Sequence, residues 1–252
     1  MRVVVATYNV HRCIGRDGRH DPARIRAVID ELDADVVALQ ELEWRPEAAL
    51  HVLDEWARDT GYTPVAGPTL FRDDGHYGNA LLTRLSVRRV DRLDLSVPGR
   101  EARGAIDAQL EAGWGAVRVL ATHLGLRAGE RRAQMQRLLD ALSVTPAPTV
   151  LMGDLNEWFL WGRPLRWLRA HFGQAPAPAT FPARWPVLAL DRIWVEPARM
   201  LREVRTHRSP LARLASDHLP LLGVLEWNGT GFVSHGARDC DPPIERAGNM
   251  GS

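Results

Sequence analysis

Two short stretches of this 252-residue chain carry residue types and spacing suited to chemistry. GDLNE holds Asp154 and Asn156, and SDHLP holds Asp217 and His218. Each lies beside an apolar run, and four more polar residues share that feature: Asn9, Glu41, His123 and Asp191. Polar groups at the ends of strands sit on a rigid frame and face a crevice, which is where open α/β sheets bind ligands. A phosphate ester fits this donor set. Its hydrolysis needs a hard cation to neutralise charge on the phosphoryl oxygens and a base to activate water. Mg²⁺, with Mn²⁺ as a substitute, prefers carboxylate and water oxygens. Glu41 and Asp217 could supply these, with Asn9 as a neutral oxygen donor or water holder. Asp154 could activate the water if Asn156 orients it, and His123 and His218 could donate to the pentavalent phosphorane. Arg103, in REARGA, could reach a phosphate bidentately or form a surface ion pair. No compact His or Cys cluster suggests zinc. Singly, Glu41 reads as a solvated strand end and His123 as a hydrogen-bonded core or loop histidine. The recurrence along the chain carries the functional reading.

These side chains need strands to hold them. Val3–Ala6, Val36–Leu39, Ala80–Thr83, Val87–Leu95, Gly104–Leu110, Trp114–Thr122, Thr149–Met152, Leu190–Val195 and Leu219–Trp227 read as strands. The second of them should deliver Gln40 and Glu41 at its end. Asp21 is a plausible N-cap for a helix with Pro22 in its first turn and Ile25, Val28, Ile29 and Leu32 on one face. Further helices are expected from Pro46 to a stop at Gly61, over Glu130–Leu142, and over Leu160–His171. RDDGHYGN, residues 72–79, reads as a polar loop, and GQAPAPATFPARWP as a Pro-rich loop. The alternation of strand and helix points to a layered α/β core. The expected organisation is one domain over residues 1–227 and a loose tail over 228–252, where periodicity disappears.

Composition is that of an ordinary globular chain, with 45% hydrophobic and 25% charged residues. The formal net charge is +1, from 32 basic and 31 acidic side chains, so the total demands no nucleic-acid partner. Cys13 and Cys240 match no metal or redox spacing and read as free thiols. No segment approaches the ~20 apolar residues of a membrane span, and the opening MRVVVATYNV reads as a strand, not a signal peptide. A monomeric, cytoplasmic protein is the expectation.

The motifs together resemble the endonuclease/exonuclease/phosphatase superfamily, the deoxyribonuclease I-like fold. TYNVH at Thr7–His11, LQE at Leu39–Glu41, YGNALLTR at Tyr77–Arg84, THLG from Thr122, GDLNE from Gly153, LDRIWV from Leu190 and SDHLP from Ser216 follow in the family's order. The resemblance spans roughly residues 1–226. It implies a four-layer α/β/β/α sandwich with two mixed β-sheets face to face and helices outside. It implies Glu41 as the principal Mg²⁺ carboxylate, helped by Asn9 and Asp217, and Asp154 as the base, oriented by Asn156. His218 would contact the scissile phosphate, with Asp191 or Asp217 holding its tautomer, and His123 would be a phosphate or transition-state donor. Tyr77 and Asn79 fall near the cleft as substrate contacts, with Arg103 beside them. One or two metal ions are equally compatible.

The implied activity is hydrolysis of a phosphodiester by in-line attack of water, with DNA, RNA or a phospholipid as substrate. A phosphomonoesterase for a small or inositol-type molecule is an alternative, and an inactive binding module is another. The intact acidic and histidine motifs argue against the last. No long basic stripe favours a nuclease, although arginines are abundant. Trp158, Phe159, Trp161, Trp167, Phe181 and Trp185 follow GDLN, and they could form an apolar rim for a lipid or a base, or could pack a helix onto the sheet.

Overall fold

The computed structural model describes residues 1–44, 49–58, 60–72, 75–143 and 147–227. In chain order the first half forms β1 (Arg2–Asn9), α1 (Pro22–Leu32), β2 (Val36–Trp44), α2 (Ala49–Ala57), β3 (Thr63–Arg72), β4 (Gly75–Thr83), β5 (Ser86–Asp94) and β6 (Gly104–Ala112). The second half forms β7 (Gly115–His123), α3 (Ala128–Leu142), β8 (Thr149–Asp154), α4 (Arg163–Phe172), β9 (Asp191–Glu196), β10 (Leu201–Thr206), α5 (Pro210–Ala215) and β11 (Leu221–Glu226). Among the described residues the strands make a six-stranded sheet, ordered β10-β11-β1-β2-β4-β3, and a five-stranded sheet, ordered β5-β6-β7-β8-β9. Both are mixed, because β1–β2 and β7–β8 pair parallel within otherwise antiparallel sheets.

The apolar runs explain the layers. A side chain alternates between faces along a strand, so a strand buried on both faces must be apolar throughout. Val4, Ala6 and Tyr8 of β1 pack with Ile25, Val28 and Ile29 of α1, while Val3 and Val5 face the other sheet. Val150 and Met152 of β8 fill the space between the sheets, and Leu151 packs with Met135 and Leu138 of α3 and with Leu165 and Leu168 of α4. Three apolar clusters therefore separate four layers, and the expected α/β/β/α sandwich is the observed one. The Asp21 carboxylate caps α1 by accepting from the Arg24 N–H at 3.0 Å, with Pro22 in the first turn, as the sequence suggests.

Three elements escape the sequence pattern, and two of them are edges. β3 carries Pro64 and Pro68, which an edge strand tolerates because one side of its backbone is unpaired. β10 reads LREVRT and is the opposite edge of the same sheet, so it needs no apolar run. α5 is a short helix of 6 residues capped by Ser209. The expected loop over 72–79 is corrected: residues 75–79 belong to β4, an interior strand whose polar side chains point into the fold. Asp73 and Asp74, the expected helix start at Pro46, Cys240 and the expected tail over 228–252 lie outside the described residues. The helix expected from Leu160 begins at Arg163, which leaves Leu160 and Trp161 in the preceding turn. Among the described residues no helix is long and apolar enough to cross a membrane.

Gly153, one residue before Asp154, is where β7 and β8 meet most tightly. Its φ is +151°, and an added Cβ would sit 1.9 Å from the carbonyl oxygen of Thr122. Gly153→Ala is expected to destabilise the protein by about 2–4 kcal/mol. Urea unfolding checks this, and an unchanged midpoint would show that β7 can move aside at no cost.

Candidate active site

The strand ends meet at one rim. In the second sheet, register places His123 of β7 beside Asp154 of β8, and Asp154 beside Asp191 of β9. β9 is antiparallel to β8, so it reaches the rim with its first residue rather than its last. β11 is likewise antiparallel to β1, and the loop that enters it brings Asp217 and His218 to the end of β1, where Asn9 stands. Glu41 arrives differently. β2 does not end there but continues to Trp44, correcting the sequence reading, and its register against β4 slips between Leu39 and Leu42. Two residues, Gln40 and Glu41, face one, so Glu41 sits in a β-bulge with φ +55° that turns its side chain toward Asn9.

At the centre is the Asp154 carboxylate, which is almost fully buried. Its Oδ1 accepts from the backbone N–H of Asn156 at 2.8 Å, and its Oδ2 accepts from Nδ2 of Asn9 at 3.0 Å. The same Asn9 nitrogen donates to Oε1 of Glu41 at 3.0 Å, while the Asn9 oxygen accepts from the His11 N–H. Asn9 thus holds two carboxylates in place and has its own oxygen already engaged. Burial pushes the Asp154 carboxyl above the usual carboxylate range, and the negative Asp191 adds to this, while the nearby His218 charge opposes it.

His218 lies against this carboxylate. Its Nδ1 is 2.8 Å from Oδ2 of Asp191 and its Nε2 is 3.7 Å from Oδ2 of Asp154. Burial alone would drive the imidazole neutral. At an effective dielectric near 20, each carboxylate ~4 Å away returns about 4 kcal/mol, and two of them outweigh the desolvation. The His218 pKa is therefore raised to about 10, and the ring is an imidazolium at neutral pH. The orienting partner, left open between Asp191 and Asp217 by sequence, is Asp191 in this geometry. Asp217 stands apart, partly exposed, with its Oδ1 3.8 Å from Nδ1 of His11.

His123 has the opposite character. Nη1 of Arg103 lies 3.0 Å from its Nδ1. A guanidinium has only donors, but the Asn156 amide nitrogen is a donor too and lies 3.0 Å from Nε2. Nε2 also faces Oδ2 of Asp154 at 3.6 Å and Oε1 of Glu41 at 3.9 Å. The neutral ring therefore meets a donor at each nitrogen and can accept from only one of them, while the Asn156 amide also donates to the Leu124 carbonyl at 2.9 Å. Burial, then the Arg103 charge, then that of His218 hold the ring pKa well below its ordinary value. One histidine is thus charged and the other neutral, the same residue type in opposite fields.

The second-tier residues divide. Arg103 is buried beneath His123, paired with Glu101 at 3.2 Å, rather than lying on the surface. Tyr77 is buried beside it, with Arg12 over its ring at 5.4 Å. Asn79 donates to the Gly104 carbonyl at 3.0 Å and so joins the two sheets. A cavity of about 330 Å³ is lined by Arg103, Thr69, Arg92 and Ser96, but by none of the acidic or histidine residues of the cluster. Sequence reasoning missed three supports. Thr180 donates to Oδ2 of Asp191 at 2.6 Å, Ser216 donates to the Asn9 carbonyl at 2.8 Å, and the Phe181 ring packs on His218 with centroids 4.8 Å apart. Ser216 lies within SDHLP, which was a usable signal. Thr180 lies in the Pro-rich loop, where nothing in the pattern marks it, and Phe181 stood out only as one of the aromatic residues after GDLN, not as a partner of His218.

Asp154, Asp191 and His218 offer three potential ligand atoms within 4.8 Å of one another. In this geometry Oδ2 of Asp191 lies within hydrogen-bond distance of His218 Nδ1 and accepts from Thr180. Glu41 is a further carboxylate that could hold a cation. Its side chain is 24% exposed against 1% for Asp154, so a hydrated ion can reach it.

The sequence pattern of the Endonuclease/Exonuclease/phosphatase family matches residues 6–218. The chain is 32% identical over 244 residues to the Escherichia coli (strain K12) protein YbhP, itself described as uncharacterized, and the match covers 86% of this chain and 93% of that one. Among solved structures, an endonuclease/exonuclease/phosphatase from Bacteroides vulgatus superposes with TM-score 0.71 at 19% identity, covering 90% of this chain and 99% of that one. The human Nocturnin catalytic domain with bound sulfate superposes with TM-score 0.67 at 20% identity, covering 89% and 94%. A humanized D. rerio TDP2 gives TM-score 0.67 at 18% identity, covering 90% and 99%. These structural likenesses establish the fold.

The contrast between the histidines is measurable. Asp191→Asn removes the charge that holds the His218 proton, so the His218 pKa should fall from about 10 by more than one unit. An NMR titration of the imidazole Cε1–H reads this directly, and an unshifted value would show that Asp191 is not the partner.

Proposed function

The chain belongs to the endonuclease/exonuclease/phosphatase family, and we propose that it is a divalent-metal-dependent hydrolase that cleaves a phosphodiester by in-line attack of water. The observation that carries this reading is the Asp154 carboxylate, buried and fixed by Asn9 and Asn156, with a charged His218 and a neutral His123 on either side of it. A fixed carboxylate of raised basicity accepts a proton from water. The attacking oxygen bonds to phosphorus, the bond to the leaving oxygen breaks, and that oxygen takes a proton from solvent. The charged His218 neutralises the charge that builds on the phosphoryl oxygens, with the neutral His123 on the other side of the carboxylate. Asp191 and Thr180 position His218, and Arg103 and Asn156 hold the His123 ring between them.

The donor set also suits a hard cation. Glu41 and Asp217 offer carboxylate oxygens, and Asn9 stands beside Glu41. A bound Mg²⁺ or Mn²⁺ there would supply Lewis-acid neutralisation of the phosphoryl group. Tyr77 and Arg103 form the floor beside it, and Asn79 braces the sheets behind them.

With bis-p-nitrophenyl phosphate and Mg²⁺ as a soluble assay, turnover is expected, and EDTA should abolish it. Asp154→Asn should lower kcat about 10²–10⁴-fold while leaving the unfolding midpoint nearly unchanged; full activity in that variant would remove Asp154 as the base. The pH profile follows from the two shifts. Asp154 must be ionised, so activity falls as pH drops, with a limb above the ~4 of a solvated Asp. His218 must be protonated, so activity also falls as pH rises through about 10.

A further inference from the structure

The aromatic residues after GDLN do not pack a helix onto the sheet, apart from Trp167. Trp158, Phe159, Leu160 and Trp161 are each more than half exposed, and Trp161 reaches 70%. Their loop is nonetheless built. Glu157, buried below them and paired with Arg131 at 3.2 Å, accepts from the Phe159 N–H, and Arg169 donates to the Leu160 carbonyl at 2.6 Å. The backbone is held from beneath, and the side chains are left outside.

Two other loops repeat this arrangement at the same end of the second sheet. Leu126, 68% exposed, follows β7, and its carbonyl accepts from the Arg131 that also holds Glu157. Trp185 and Val187, 72% and 74% exposed, occupy the turn that leads into β9, and Leu190 just after them bonds the backbone of Leu155. All three tips therefore rise from the strand ends that carry His123, Asp154 and Asp191. Exposed large apolar side chains grouped around a polar cluster mark a contact surface.

Charge identifies the occupant. Each tip has an exposed arginine beside it: Arg127 next to Leu126, Arg163 and Arg166 after Trp161, and Arg184 before Trp185. Residues 124–129, 158–172 and 180–190 contain no Asp or Glu, in a chain whose basic and acidic side chains nearly balance. A second copy docking through this face would set arginine against arginine. Stacked bases would want rings alone, yet Leu126, Leu160 and Val187 have no π-face. Tryptophan and aliphatic tips with arginines at their bases suit the boundary between acyl chains and anionic headgroups.

We propose that these three loops seat the protein on an anionic phospholipid bilayer, with the rim of Asp154 and His218 facing the headgroups, so that the substrate is a phosphodiester at the membrane surface. This rests on the reading of the site as a phosphodiesterase. Hydrolysis there consumes water and yields a phosphomonoester and an alcohol.

Co-sedimentation of the full chain with vesicles tests the docking, and bis-p-nitrophenyl phosphate turnover tests the chemistry separately. Binding is expected to vesicles of equimolar phosphatidylcholine and phosphatidylglycerol, to weaken with added salt, and to be far weaker with phosphatidylcholine alone. The combined variant Trp158→Ala, Phe159→Ala, Trp161→Ala should lose about tenfold or more in vesicle affinity, with turnover of the soluble diester unchanged. Trp185→Ala provides a second, independent variant with the same expected direction. No vesicle binding by the wild type, equal binding by both variants, or tighter binding to a single-stranded oligonucleotide would each overturn the proposal. Vesicle binding without turnover of any diester would instead overturn the chemical reading and leave the docking surface standing.

Discussion

The Asp154 carboxylate is the point on which the two sheets depend for their common purpose. It belongs to β8 in one sheet and takes a hydrogen bond from Asn9 of β1 in the other. A buried charge of this kind costs several kcal/mol unless it is paired and hydrogen-bonded. Here Asn9, the Asn156 N–H and the His218 imidazolium offset that cost together, and they come from three separate stretches of chain. The sandwich must therefore close correctly before the carboxylate is tolerable, and the closed sandwich then holds it in a defined orientation.

Backbone strain gathers around the same point. Besides the cap of α1 at Asp33, the non-glycine residues with positive φ among the described residues are His11, Arg12, Cys13, Glu41 and Asn156. Each such conformation costs of order 1–3 kcal/mol and persists only where the surroundings over-determine it. Asn156 and Glu41 show the purpose. One turns its N–H onto Asp154, and the other leaves the strand line to meet Asn9. The three apolar layers supply the rigidity that makes these turns affordable.

The two histidines show how one residue type takes two roles in one cleft. His218 is surrounded by carboxylates and keeps its proton, while His123 lies on a guanidinium and cannot gain a second one. Neither difference depends on distance along the chain. Asp191 lies 27 residues before His218 and Arg103 lies 20 before His123; the second pair meets because β6 lies beside β7, and the first because the two sheets pack face to face.

Much was legible in the sequence, for a physical reason. Strands buried on both faces must be apolar throughout, so VVVATYN, VVALQE and VLMGD announce themselves, and the polar residue that ends each run stands out against it. Those signals determined the layered α/β class and the grouping of Asn9, Glu41, His123, Asp154, Asp191 and His218 at strand ends, and the resemblance carried by the motifs supplied the sandwich. Edge strands face solvent on one side and need no such run, which is why β3 and β10 left no trace. Only the tertiary structure decided that Glu41 sits in a bulge, that Asp191 and not Asp217 holds His218, that Arg103 is buried beneath His123, and that Trp158 and Trp161 point outward. Each of those depends on which strands lie side by side and on what a side chain meets across the gap. A linear pattern records how apolar a position is, but not its neighbour.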